Sequence, residues 1–214
     1  MATFTNQATL TFNVNTTTSN IVTGEITEIL NVSKTTLNSC YYLDNCGVTY
    51  VVTLTNTGNT PITDISVTDD LGAYTFNSQT LVPLVYETES VRYFINGVLQ
   101  PNPTEVVDNN VVFNGITIPA NSNAMLIYKA EVTEYAPLTP ESVITNTVTV
   151  TGTGIINPVT ATNTLGVCEE PRLEITKALS PTVVNDNGQI TYTLTILNYG
   201  NNDTLATDNV IVTD

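Results

Sequence analysis

Two stretches of this chain carry one pattern at an offset of 142 to 145 residues. Leu30-Asn31-Val32-Ser33-Lys34 corresponds to Leu173-Glu174-Ile175-Thr176-Lys177, and Gly47-Val48-Thr49-Tyr50-Val51-Val52-Thr53-Leu54 to Gln189-Ile190-Thr191-Tyr192-Thr193-Leu194-Thr195-Ile196. Asn56-Thr57-Gly58-Asn59 then matches Asn198-Tyr199-Gly200-Asn201, and Ile65-Ser66-Val67-Thr68-Asp69 matches Val210-Ile211-Val212-Thr213-Asp214. Four matched blocks in the same order mean one structural unit used more than once. A shorter echo sits at the front, where Asn6-Gln7-Ala8-Thr9-Leu10-Thr11 resembles Asn146-Thr147-Val148-Thr149-Val150-Thr151. The expected organisation is an N-terminal strand arm or hairpin over residues 1–28, a complete repeat over 29–168, and the beginning of a second, incomplete repeat over 169–214.

The repeated unit reads as β-structure. Residues 49–55, 62–68, 91–95, 111–118, 124–133 and 145–153 alternate or run apolar, rich in Thr, Val, Ile and Tyr, which suit a half-buried pleated surface. Turn signals punctuate them: Asn56-Thr57-Gly58-Asn59, Asn96-Gly97, Pro101-Asn102-Pro103, Asn109-Asn110, Asn114-Gly115, Pro119-Ala120-Asn121 and Gly152-Thr153-Gly154. Asn96-Gly97 between Ile95 and Val98 predicts a tight hairpin. Only Glu134 to Ser142, with two prolines, breaks the rhythm and reads as a loop or a single helical turn. Short strands at this spacing predict an all-β fold: an immunoglobulin-like β-sandwich in tandem, with an extended N-terminal strand arm.

Composition narrows function. Five Lys and Arg face twenty Asp and Glu, a net charge of −15. Phosphate backbones are gripped by clusters of basic residues, so nucleic acid is not an expected partner. Charged residues make up only 12%, about half of the roughly 25% usual in globular domains, and Thr and Asn supply the polar surface instead. There is no histidine, which removes Ser-His-Asp and Cys-His triads in their usual form and His-based metal sites. No Gly-rich phosphate loop is present, so an enzyme is not expected, and no cofactor. Asp69-Asp70 and Asn185-Asp186-Asn187-Gly188 lack the ligand spacing of a calcium loop and read as Asx-rich turns; no metal site is expected. Met1 leads straight into an alternating strand pattern rather than a basic, then apolar, leader, and no run approaches the roughly 20 apolar residues of a membrane helix. A mature product, or one made in the compartment that it coats, is the expectation, with no membrane insertion.

Lys34, the stretch Tyr50 to Gly58, Val67-Thr68-Asp69-Asp70-Leu71 and Thr145-Asn146-Thr147-Val148-Thr149-Val150 together resemble a surface-repeat family of spore-forming Gram-positive bacteria, catalogued as domain of unknown function eleven. They are also similar to the fimbrial-shaft sandwich domains that form Lys–Asn isopeptide bonds. The likeness covers residues 30–165 in full and 172–214 in part. It implies a structural subunit of a cell-surface or spore appendage, extracellular, that self-associates into a filament and meets other surface or coat proteins. It also implies roles: Lys34 attacks the Asn146 side chain, and Asp69 lies between them as the acid. Asp70 is a neighbouring competitor, since alternation sends the two carboxylates to opposite faces. Lys177 and Asp214 occupy the matching positions of the second repeat, and Asn6 that of Asn146, which makes Asn6 the candidate for a link between molecules. An adhesin module binding a host or matrix ligand is the alternative; its nearest candidate loop is Tyr86 to Tyr93, with Glu87, Glu89 and Arg92.

Three cysteines remain, Cys40, Cys46 and Cys168. Cys40 and Cys46 flank a polar loop after the first strand of the repeat, and Cys168 lies at its exit. Both loop and exit belong at one pole of a sandwich, which puts Cys168 within reach of Cys40 or Cys46; three cysteines allow three single pairings, sequence leaves the choice open, and the odd thiol suggests a link between subunits. The arm alternates too: Phe4, Asn6, Ala8, Leu10 and Phe12 fall on one side of a strand and Thr residues on the other. Such a strand predicts head-to-tail assembly by strand addition to a neighbour's open repeat.

Overall fold

The computed structural model describes residues 2–26, 29–42 and 47–214. The N-terminal segment does not stand out as one strand. Strands β1 (Ala2–Asn6), β2 (Thr9–Phe12), β3 (Asn15–Thr18) and β4 (Val22–Ile26) fold back on each other, β1 pairing with β4 and β2 with β3. Asn13, at φ +51°, makes the reversal, a left-handed conformation that Asn tolerates better than most residues. The expected alternating strand over residues 4–14 is thus broken at its midpoint, because local pairing with residues 15–26 satisfies its backbone. In the β2–β3 hairpin the Thr11 and Thr16 hydroxyls meet at 3.2 Å, and Leu10 and Phe12 alternate with the threonines; in the β1–β4 pair the Phe4 ring lies over Gly24, and all three apolar side chains are exposed.

The sandwich follows. In chain order it contains β5 (Leu30–Thr36), β6 (Gly47–Asn56), β7 (Ile62–Asp69), β8 (Tyr74–Phe76), β9 (Gln79–Leu81), β10 (Leu84–Tyr86), β11 (Arg92–Ile95), β12 (Val98–Gln100), β13 (Thr104–Val107), β14 (Val111–Ile118), β15 (Ser122–Val132), β16 (Val143–Thr153) and β17 (Val159–Gly166). One sheet runs β12-β11-β15-β6-β5, with β10 also on β15; the other runs β13-β14-β7-β16-β17; β8 and β9 form a separate hairpin. All these pairings are antiparallel. Period-2 alternation dictates the arrangement: in β6 the buried residues are Val48, Tyr50, Val52, Leu54 and Asn56, with half-exposed Thr and Val between them. Those side chains interdigitate with Val67, Phe113, Ile116, Leu126, Tyr128, Val148 and Val150 from both sheets to make one core.

The punctuation residues explain the joints. Asn96 (φ +48°) and Gly97 (φ +80°) both take left-handed conformations, as a two-residue hairpin turn of the I′ kind demands, and Ile95 pairs with Val98 across it. Asn114-Gly115, read from sequence as a turn, is instead a bulge inside β14, where the register against β7 shifts between Phe113 and Ile116. Asn56 is buried and closes the next loop: its Nδ2 donates to the carbonyls of Thr60 (2.8 Å), Pro119 (3.0 Å) and Ile118 (3.3 Å), and its Oδ1 accepts from Gly58 N–H (2.9 Å). Beyond the sandwich, β18 (Leu173–Ser180) pairs with β19 (Thr191–Asn198). Asn198 there repeats the clamp, donating to Asn202 O (2.7 Å) and accepting from Gly200 N–H (2.9 Å). No helix among the described residues is long and apolar enough to cross a membrane.

Candidate functional site

Three strands bring Lys34, Asp69 and Asn146 inside the sandwich. Lys34 is the inward residue at the middle of β5. Asp69 ends β7 opposite Val148 of β16, and Asn146 lies two residues along on the same face as Val148. The Lys34 and Asp69 side chains are wholly buried, and Asn146 is 0% exposed. Lys34 Nζ donates to Asp69 Oδ2 at 2.7 Å. The Tyr128 hydroxyl donates to the same oxygen, and Leu71 N–H donates to Asp69 Oδ1 at 2.8 Å. Lys34 Nζ also sits 4.6 Å from the centre of the Tyr50 ring, within the range of a cation–π contact. The wall is aromatic: Tyr50, Tyr86 and Phe113 surround Tyr128 with ring centres 5.1 to 6.1 Å away.

This environment acts on protonation. Burial lowers the Lys34 pKa from its usual 10.5, against the opposing pull of Asp69, because a low-dielectric surrounding disfavours the charged amine. Burial likewise raises the Tyr128 and Tyr50 phenols, so both stay protonated. The Asn146 amide is the unusual element. Neither its Oδ1 nor its Nδ2 has a hydrogen-bond partner, and neither does the Tyr50 hydroxyl. Asn146 is near enough to favour ionisation of the Tyr50 phenol. The two groups nevertheless fall short of hydrogen-bond geometry, so the contact is an approach and not a formed bond. Asn163 faces Asn146 across β16 and β17, and its Oδ1 is also buried and unpaired.

The two neighbouring carboxylates separate cleanly. Asp70 points away from the cluster and accepts from Gly72 N–H and Thr147 N–H, both at 2.9 Å; partial burial pushes its carboxyl up. Leu71 (φ +53°) and Gly72 (φ +73°) both turn left-handed to make this possible. Asp69 and Asp70 therefore both hold the turn, and Asp69 is the one that meets the lysine amine. Sequence reasoning assigned no role to Tyr50, Tyr128 or Asn163. Tyr50 was visible as the partner of Tyr192 in the repeat; Tyr128 and Asn163 had no such signal.

The remaining candidates fall elsewhere. Lys177 on β18 pairs with Asp214, and its Nζ lies 4.4 Å from the Tyr192 ring centre, the same lysine–tyrosine–aspartate grouping in an exposed setting. Asn6 is on β1 opposite Val22, exposed and in a different sheet from Lys177. Cys40 and Cys168 form a disulfide. Residues 40–41 lie beside the end of β17, where Tyr41 N–H donates to Gly166 O (3.0 Å) and Cys168 N–H to Tyr41 O (2.8 Å). Cys46 lies outside the described residues. In the candidate adhesin loop, Tyr86 and Tyr93 are core residues, and Arg92 donates to the carbonyls of Glu89 and Val91. Burial there follows from β10 and β11 both pairing with β15.

No family model matches the chain, and no curated relative is found for it. Among solved structures it is similar to the major pilin subunit of Bacillus cereus, at 10% identity and a TM-score of 0.51, over 92% of this chain and 63% of that one. It is also similar to the full-length major pilin SpaD of Corynebacterium diphtheriae (12% identity, TM-score 0.46, 69% of this chain and 41% of that one). A third is a collagen-binding domain from a Staphylococcus aureus adhesin (14%, 0.40, 66% and 99%). At these identities the likeness speaks to fold. The chain has the all-β sandwich architecture found in a Gram-positive pilin subunit, and spans about 63% of that subunit's length.

Proposed function

We propose that this chain is a structural module of a bacterial surface or spore fibre, whose sandwich is locked by an isopeptide bond between Lys34 and Asn146. The observation that carries the reading is the buried cluster itself: a lysine of lowered pKa, a carboxylate 2.7 Å from its amine, and an amide with both polar atoms unpaired. Lys34 passes one proton to Asp69 and becomes a neutral nucleophile. Its Nζ then bonds to Asn146 Cγ, and the Cγ–Nδ2 bond breaks. The second Nζ proton goes to the departing nitrogen, and ammonia leaves as ammonium with the proton that Asp69 held. A bond that ties β5 of one sheet to β16 of the other resists tension, which suits a fibre rather than a ligand site.

The exposed apolar side chains of the N-terminal strand pairs are the part that we assign to self-association with a second copy. Phe4, Leu10 and Phe12 would otherwise face water, and an uncovered ribbon invites edge pairing. The module then belongs outside the cell, on its surface or on the spore.

Intact mass of the purified chain should fall below the sequence mass by one ammonia, about 17 Da, since amide exchange at asparagine expels its nitrogen. Lys34→Ala should restore the full mass, and fragment spectra should join Lys34 to Asn146. An unchanged mass, or a link to Asn163, sinks the assignment. Deleting residues 1–26 should abolish fibres in electron micrographs and leave the sandwich folded; fibres of normal form would overturn the role given to the ribbon.

A further inference from the structure

Asp69 has both oxygens engaged before any reaction begins. Oδ2 receives the Lys34 amine and the Tyr128 hydroxyl, and Oδ1 receives Leu71 N–H. That arrangement suits a group that accepts a proton from Lys34. It leaves the Asn146 carbonyl oxygen without a donor, just where negative charge develops when an amine adds to the amide. One buried hydroxyl nearby is free to serve. Tyr50 Oη has no partner, its ring lies under Lys34 Nζ, and it approaches the Asn146 amide.

We propose that the Tyr50 hydroxyl, rather than Asp69, is the donor that stabilises the Asn146 oxyanion as Lys34 attacks; the proposal rests on the Lys34–Asn146 condensation described above. Three unsatisfied buried atoms, Tyr50 Oη, Asn146 Oδ1 and Asn146 Nδ2, around one buried lysine are a costly coincidence in a packed core. They become complementary once Cγ turns tetrahedral and its oxygen swings towards the phenol. Tyr50 ends the reaction as it began: it shares a hydrogen bond with the oxyanion, and the carbonyl re-forms as the Cγ–Nδ2 bond breaks. Asp69 keeps the proton traffic and Tyr50 takes the charge, a division of labour between base and oxyanion donor. The β18–β19 hairpin supplies a second, independent pointer. Tyr192 again lies under a lysine amine, Lys177, at 4.4 Å, so the tyrosine accompanies the lysine wherever the unit recurs.

The test is a time course of intact mass for the full 214-residue chain made by cell-free synthesis, comparing wild type, Tyr50→Phe and Tyr128→Phe. Phenylalanine keeps the ring beneath Lys34 and removes only the hydroxyl. Tyr50→Phe should lose ammonia about 100-fold more slowly than wild type, the scale of deleting one oxyanion donor, and Tyr128→Phe should lose it faster than Tyr50→Phe. A chain carrying difluorotyrosine at position 50 keeps both fold and hydroxyl but ionises at lower pH. Its condensation should fail at alkaline pH where wild type still proceeds, a response that packing alone would not give. If wild type condenses and Tyr50→Phe condenses at the same rate, or the fluorinated chain keeps the wild-type pH profile, the role of Tyr50 is overturned and the Lys34–Asn146 bond stands. If wild type never loses ammonia, the bond falls and this role with it.

Discussion

Removing the Cys40–Cys168 disulfide should cost the fold less when Lys34 is already tied to Asn146 than when it is not. The two cysteines are 128 residues apart. Closing a loop of that size in the unfolded chain stabilises the native state by about 4.9 kcal/mol on the chain-entropy relation. With Lys34 and Asn146 joined, the unfolded chain is already cross-linked, and the disulfide closes only the stretches from Lys34 to Cys40 and from Asn146 to Cys168. Those amount to roughly 30 residues, for which the same relation gives about 3.6 kcal/mol. The coupling between the bridges is the difference, about 1.3 kcal/mol, close to tenfold in the folding constant. The assay is a four-point cycle in guanidinium: wild type, Cys40→Ser with Cys168→Ser, Asn146→Ala, and all three together. Asn146→Ala is the right way to prevent the isopeptide because it leaves the Lys34–Asp69 pair intact. Local packing losses cancel across the cycle. A disulfide worth the same in both backgrounds, within the roughly 0.3–0.5 kcal/mol scatter of independent sites, would refute the claim that the two bridges close overlapping loops.

Three further outcomes follow from the same geometry. Under tension applied at residues 29 and 169, Asn146→Ala protein should extend by about 450 Å on adding reductant, roughly 127 residues at 3.6 Å each, whereas reduced wild type should release only the short stretches outside the Lys34–Asn146 loop; equal extension of both in single-molecule pulling would contradict the bond. Asn56→Ala should lower stability by about 2–4 kcal/mol in urea melts, because it strands the carbonyls of Thr60, Ile118 and Pro119 and the N–H of Gly58, while an effect under about 0.5 kcal/mol would mean that the loop holds itself. In Asn146→Ala protein Lys34 still titrates, and its lowered pKa means that the unfolded chain binds the extra proton between the native value and 10.5. Stability relative to Lys34→Met with Asn146→Ala should therefore rise with pH across that window; a flat difference would remove burial as the dominant influence on Lys34.

The repeat made Lys34, Asp69 and Asn146 legible because each sits in a block with a fixed phase, and period-2 alternation assigns every second residue to the core. Alternation also separated Asp69 from Asp70, but which of the two faces inward depends on the pairing of β7 with β16, and that pairing is not local. Tyr128 was hidden for a similar reason. It is 59 residues from Asp69 in sequence, and only the order β15-β6 in one sheet places it over β7 in the other. Asn96-Gly97 and Asn114-Gly115 show the limit of dipeptide signals. At the first, both residues take positive φ and the chain reverses; at the second, only Gly115 does (φ +80°) and the strand continues through a bulge. The partner strand makes that choice. The disulfide was half legible: the shared pole followed from strand direction, and the bridge between Tyr41 and Val167 is what sets Cys40 beside Cys168.

A sandwich built only to persist would not place these groups at its centre. Val148 and Val150, the next inward residues of β16, fill their positions with apolar surface and leave no polar atom unpaired. A buried Lys–Asp pair gives little net stability against an apolar replacement, since desolvation offsets the attraction, and each unpaired polar atom beside it costs about 1–3 kcal/mol more. The unreacted cluster is therefore a net burden on the fold. Condensation would reverse each of these costs. The lysine charge leaves with the ammonium, the new secondary amide keeps one N–H to donate where the amine donated to Asp69, and the liberated nitrogen no longer needs a partner. The arrangement makes physical sense as the precursor of the bond that we propose, and the energy that the precursor lacks would be regained in a covalent link that tension must break before the sheets can part.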